Sequence, residues 1–176
     1  IKVPAGCQDY FPAMYGGVRK VLPGFRSTET EKFAIDPAEL TRHFVLCYTG
    51  KLRNSGINNW EVTKKVVDGN RTVIRHLKSI RDCAVEMEQA LSRGQLKKLA
   101  PIFAKEWKAR KQLAPTIRTP QMDQLIRSAM KKGALAGKVC GAGGGGCVAF
   151  IVPPAKKQLV IEELTLQGGQ VLPFRF

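Results

Sequence analysis

Long apolar runs are absent from the 176 residues, and none approaches the roughly 20 needed to cross a bilayer. The first residues, Ile1-Lys2-Val3-Pro4-Ala5-Gly6, show no apolar core of a signal peptide, and the chain opens on Ile rather than Met. A fragment or a processed product is therefore expected. No Cys-x-x-Cys pair occurs among Cys7, Cys47, Cys83, Cys140 and Cys147, and His43 and His76 keep no ligand-like spacing to them. A zinc site is not expected on that ground, and buried thiols of a reducing compartment are. Acidic residues are scarce: 14 Asp and Glu stand against 29 Lys and Arg, a formal charge of +15. No repeat or low-complexity linker appears, and 44% hydrophobic residues suit one soluble, cytoplasmic domain or a little more.

The positive charge is uneven. Between Leu96 and Lys138 eleven Lys and Arg face only Glu106 and Asp123. Such a field attracts polyanions, whether nucleotide phosphates, sugar phosphates or nucleic acid. It equally suits a solvated helix face. Only Trp107 interrupts the run, at a helix-core position, so the stacking pattern of a single-strand binder is missing.

Apolar periodicity places the elements. A short helix ending at Gly16-Gly17 precedes a hairpin of Val18–Leu22 and Glu31–Ile35 around a Gly24–Thr30 loop. Asp36-Pro37 caps a brief helical turn through Leu40. Phe44–Tyr48 reads as a buried strand, followed by a polar loop to Gly56. Val73, Leu77, Ile80, Ala84, Met87 and Leu91 form one helical stripe; Leu96, Leu99, Phe103 and Trp107 form another. Thr119 caps a third helix with Pro120 at its first position, a face of Met122, Leu125, Ile126, Ala129 and Met130, and Gly133 as its stop. A strand pair around a glycine-rich turn, a helix over Ala155–Leu166 and a strand over Gln170–Phe174 complete an α+β fold, with helices on one face of a small, mostly antiparallel sheet.

Two segments carry chemistry. Lys138-Val139-Cys140-Gly141-Ala142-Gly143-Gly144-Gly145-Gly146-Cys147 has five glycines in ten residues. It is no Walker loop, because Cys147 and Val148 follow Gly146, and no dinucleotide fingerprint, because a strand-like run follows where a helix is required. Such density implies positive φ or very close backbone approach. A tight turn between buried strands and a ligand-lining loop both satisfy it. The other segment is Gly6-Cys7-Gln8-Asp9-Tyr10-Phe11-Pro12-Ala13-Met14-Tyr15-Gly16-Gly17. Asp9 at a helix start is either an N-cap or a carboxylate positioned to accept a proton from a hydroxyl.

Together these segments, in this order, resemble the GHMP kinases (galactokinase, homoserine kinase, mevalonate kinase, phosphomevalonate kinase). The branch most similar is that of sugar kinases like D-glycero-D-manno-heptose 7-phosphate kinase, which Tyr48-Thr49-Gly50-x-x-Arg53-x-Ser55 also resembles. The resemblance implies a ferredoxin-like C-terminal kinase domain over 41–176, preceded in 1–40 by the tail of a ribosomal S5 domain 2-like N-terminal domain. It implies ATP-dependent phosphoryl transfer to a hydroxyl of a sugar or sugar phosphate, with Asp9 catalytic and Gln8, Tyr15, Arg53 and Ser55 at the substrate. Gly141, Ala142, Gly143, Gly144 and Gly145 would support the nucleotide-phosphate loop. The family's own ATP loop, of Pro-x-x-x-Gly-Leu-Gly-Ser-Ser type, does not occur in this chain. ATP and Mg2+ would thus be held largely by a missing N-terminal half, and the chain alone is expected to lack efficient turnover. A nucleic-acid-binding module and a GHMP-like domain that has lost catalysis are the alternatives.

Overall fold

The computed structural model describes residues 8–52 and 55–176. Helix α1 (Tyr10–Tyr15) takes Pro12 in its first turn, where the absent N–H is harmless. Gly16 ends it at φ 64°, its N–H donating to Pro12 O at 2.8 Å. Strands β1 (Arg19–Pro23) and β2 (Thr28–Lys32) form an antiparallel hairpin of their own, with Arg19 opposite Lys32. The second strand starts earlier than the sequence suggests. The turn is only Gly24–Ser27, closed by Gly24 N–H to Ser27 O at 2.9 Å.

Helix α2 (Pro37–His43) is capped by Asp36, whose side chain accepts from Ala38 N–H at 2.9 Å. Then comes β3 (Phe44–Tyr48), a long helical stretch, and the rest of the sheet. Helix α3 (Ser55–Val67), unforeseen in the sequence, precedes α4 (Arg71–Ser92). Asn70 caps α4, its side-chain oxygen accepting from Val73 N–H at 3.0 Å, which gives this member of an Asn-x-Thr triplet a structural role. The buried stripe of α4 runs through Val73, Cys83 and Ala90; Ala84, expected in it, is exposed, because the inward line passes one residue earlier. Helices α5 (Leu99–Arg110) and α6 (Pro120–Lys131) follow, with Thr119 accepting from Met122 N–H at 3.2 Å as the cap of α6. Met122, Leu125 and Ala129 are fully buried, whereas Met130 is 44% exposed and stands off the face assigned to it.

Strands β4 (Ala136–Val139) and β5 (Cys147–Ile151), helix α7 (Lys157–Leu166) and strand β6 (Gln170–Leu172) close the chain. The four-stranded sheet runs β4-β5-β3-β6 with every neighbour antiparallel. Counting only its own strands, that is second-third-first-fourth, the ferredoxin-like order. Val45 and Cys47 of β3 and Val148 and Phe150 of β5 share one face. There they meet Met122, Leu125 and Ala129 of α6 and Val160 and Leu164 of α7. A second cluster joins Leu40, Cys83, Leu99, Ile102, Ala136 and Ile151, packing α4 and α5 along the β4 side.

Candidate functional site

The β4–β5 connection is the glycine-rich turn. Its neck is held by Cys140 N–H donating to Cys147 O at 2.8 Å. Positive φ occurs at all five of its glycines: Gly141 (68°), Gly143 (79°), Gly144 (77°), Gly145 (153°) and Gly146 (82°). A Cβ would cost strain at each of them. Two also touch other backbone. A Cβ on Gly143 would lie 2.3 Å from Ile117 O, and one on Gly145 would lie 2.7 Å from Leu52 O. Hydrogen bonds fix the same contacts: Gly144 N–H donates to Ile117 O, Gly146 N–H to Lys51 O and Thr49 N–H to Gly146 O, each at 2.9 Å. The turn is clamped between the segment leaving β3 and the segment entering α6. Of the two meanings of glycine density, close backbone packing is what the geometry displays.

The sequence carries no direct sign of these clamping partners. Lys51, Leu52 and Ile117 act through carbonyl oxygens, which every residue carries, so the glycines were the only trace they left. Thr49 is 1% exposed and its hydroxyl has no hydrogen-bond partner among the described residues. A buried polar atom of this kind costs roughly 1–3 kcal/mol, and it sits where β3 meets the turn.

Asp9 occupies the N-cap position of α1, exposed, and its side chain makes no capping hydrogen bond. The purely structural role open to it is not exercised. Gln8 precedes it, also exposed. Tyr15, at the other end of α1, is 56% exposed, and the Arg19 guanidinium lies 5.0 Å from its ring centroid. Arg53 lies outside the described residues. Ser55 is placed only by its backbone, as the first residue of α3. The structure thus joins the glycine turn to the Thr49–Leu52 segment that leads to Arg53 and Ser55, while α1 packs on β1.

The basic stretch is less bare than its composition suggests. Five of its eleven cations are in ion pairs: Lys105 with Glu86, Arg110 and Lys138 with Glu106, Arg118 with Asp123, and Lys132 with Glu163. Glu106 is 7% exposed, and Lys138 Nζ stands 2.8 Å from its Oε2. Lys138 also lies 5.3 Å from the Phe103 ring centroid. Burial lowers its pKa from the ordinary lysine value, and the Glu106 charge opposes that shift. Among the described residues no group of three or more His, Cys, Asp and Glu could hold a metal ion. No helix among them is long and apolar enough to cross a membrane.

Residues 87–170, which include the clamped turn, match the family model for the GHMP kinases C terminal. The likeness to a GHMP kinase C-terminal domain covers this segment, a little under half of the chain. Along 99% of its length it is 28% identical to D-glycero-alpha-D-manno-heptose 7-phosphate kinase of Campylobacter jejuni, of which it covers 52%. A mevalonate kinase of Thermococcus onnurineus is 38% identical over 30% of the chain, which is 16% of that relative. Among solved structures, L. major mevalonate kinase in complex with R-mevalonate superposes with a TM-score of 0.82 at 16% identity, over 95% of this chain and 51% of that one. A D-glycero-D-manno-heptose 1-phosphate kinase from Bacteroides thetaiotaomicron gives 0.69 at 24% identity, over 98% of this chain and 46% of its own. These superpositions show the GHMP kinase fold. The chain spans about half the length of the heptose kinases it matches.

Proposed function

We propose that this chain serves an ATP-dependent kinase that transfers a phosphoryl group to a hydroxyl of a sugar or sugar phosphate in the cytoplasm. The observation that carries this is the alignment with a heptose 7-phosphate kinase along 99% of the chain, which takes in both chemistry-bearing segments. Phosphoryl transfer asks the protein mainly for positioning and charge. Asp9 would orient the acceptor hydroxyl and take its proton, a role compatible with a carboxylate not used in capping. Gln8 and Tyr15 on the same short segment, with Arg53 and Ser55 beyond β3, would hold the acceptor. A guanidinium at Arg53 suits a phosphate bidentately, which favours a phosphorylated sugar.

Residues Gly141–Gly145 would brace the loop that cradles the nucleotide phosphates. That loop, and the Mg2+ ligands, would come from the part of the relatives that this chain does not span. In this proposal residues 1–40 belong with that part and 41–176 form the C-terminal domain. Helix α2 bridges the joint, and its Leu40 is buried beside α4 and α5.

The test is an acceptor panel given to the full-length protein with ATP: a heptose 7-phosphate, the unphosphorylated heptose, and mevalonate. ADP release and phosphorus NMR of the product provide the readout. Phosphosugar is expected to exceed mevalonate in kcat/KM by at least about tenfold, equivalent to ~1.4 kcal/mol of transition-state discrimination. Turnover of mevalonate alone, or of no acceptor, contradicts the proposal.

A further inference from the structure

We propose that Cys140 and Cys147 form a reversible disulfide across the neck of the glycine turn, making this hairpin a site of oxidative modification. The β4–β5 register pairs Val139 with Val148, so the next pair outward sets Cys140 directly opposite Cys147. The Cys140 N–H to Cys147 O bond at 2.8 Å shows that the ladder continues to that pair. Directly opposed residues of antiparallel strands project to the same face. Both residues are half-buried, within reach of a small oxidant.

The remaining described cysteines are poor competitors. Cys47 is opposite Val148, whereas Tyr48 is opposite Cys147, so the pleat sends the Cys47 side chain to the other face of the sheet. There it is fully buried, and burial pushes its thiol up to about 11, which keeps it protonated and unreactive. Cys83 is buried between α4 and α5. Cys7 lies outside the described residues.

Hydrogen-bonded antiparallel pairs hold their Cα atoms about 5.5 Å apart, inside the ~4.4–6.8 Å range of disulfides. Their Cβ atoms must draw in by roughly 1 Å to reach bridging distance. A connection built from five glycines and one alanine between the two cysteines tolerates that adjustment. A bridge closed with some strain is easily reduced, as suits a switch rather than a permanent staple.

Hydrogen peroxide would serve as oxidant. One thiolate attacks a peroxide oxygen and expels hydroxide, leaving a sulfenic acid. The second thiol attacks that sulfur and releases water. The two thiols lose two electrons and two protons, and the peroxide is reduced to two waters. An external dithiol reverses the bridge by exchange. Because Gly143 and Gly145 abut Ile117 O and Leu52 O, drawing in the neck would disturb the segment that runs on to Arg53. That consequence rests on the proposed phosphoryl transfer; the disulfide itself does not.

The experiment treats the native full-length protein with hydrogen peroxide, blocks remaining thiols with N-ethylmaleimide, and maps tryptic peptides by mass. The peptide Val139–Lys156 is expected two hydrogens lighter than its dithiol form and without maleimide, and dithiothreitol before blocking restores two labels. Cys140→Ser should leave Cys147 open to maleimide or trapped as a sulfenic acid. Two labels after oxidation, sulfinic acid as the main product, or a bridge from either residue to Cys47 or Cys7 overturns the proposal. In the same samples, ATP turnover should fall on oxidation and return with dithiothreitol in the parent but not in Cys140→Ser. If no sample turns over at all, that failure belongs to the phosphoryl-transfer proposal, and the peptide masses still decide the disulfide.

Discussion

At the scale of single residues, glycine is required here for two separable reasons. Gly50 has φ 76° with nothing within 4 Å of a Cβ, so its substitution costs only the left-handed conformation. Gly143 has φ 79° and would in addition drive a Cβ to 2.3 Å from a backbone oxygen that is already accepting a hydrogen bond. Gly50→Ala should therefore lose about 1–2 kcal/mol, and Gly143→Ala about 3 kcal/mol or more, since backbone must move as well. Denaturant unfolding of the two variants checks this; equal losses would show that the clamp is slack. The glycines could be read from the sequence because their scarcity elsewhere in strands makes a cluster conspicuous. The Thr49 hydroxyl, without a partner among the described residues, could not, since its isolation depends on which neighbours fold around it.

At the scale of elements, legibility followed the strength of the apolar period. Helix α6 could be delimited at both ends, because cap, proline, stripe and closing glycine all agree. Its cap is testable: Thr119→Ala should cost about 1 kcal/mol, and Thr119→Ser should recover most of it in the same unfolding assay. No difference between the two would mean that the 3.2 Å bond to Met122 N–H contributes nothing. Helix α3 was hidden because its apolar residues do not line up; Trp60 and Val67 are 61% and 80% exposed. Strand β2, Thr28-Glu29-Thr30-Glu31-Lys32, looks like a loop because it is polar on both faces. Its extended form comes from pairing with β1 rather than from an apolar face.

At the scale of the whole molecule, the sheet order β4-β5-β3-β6 is what brings distant sequence together. Placing β5 beside β3 sets the glycine turn against the exit of β3, about a hundred residues away in sequence. Apolar periodicity foretold the α+β class but not this adjacency, which depends on strand order. The charge excess likewise overstated the case for a polyanion-binding surface, because carboxylates from α4, α5, α6 and α7 return to meet it. In the proposed reaction Asp9 and the glycine turn would serve one phosphoryl-transfer site. The most direct test is Asp9→Asn in the full-length protein, with steady-state turnover and calorimetric acceptor binding measured side by side. A fall in kcat of about 10²–10⁴-fold is expected, the usual worth of a positioned acid–base group, with acceptor affinity kept within a few-fold. Turnover near that of the parent, or affinity lost in step with rate, would contradict it.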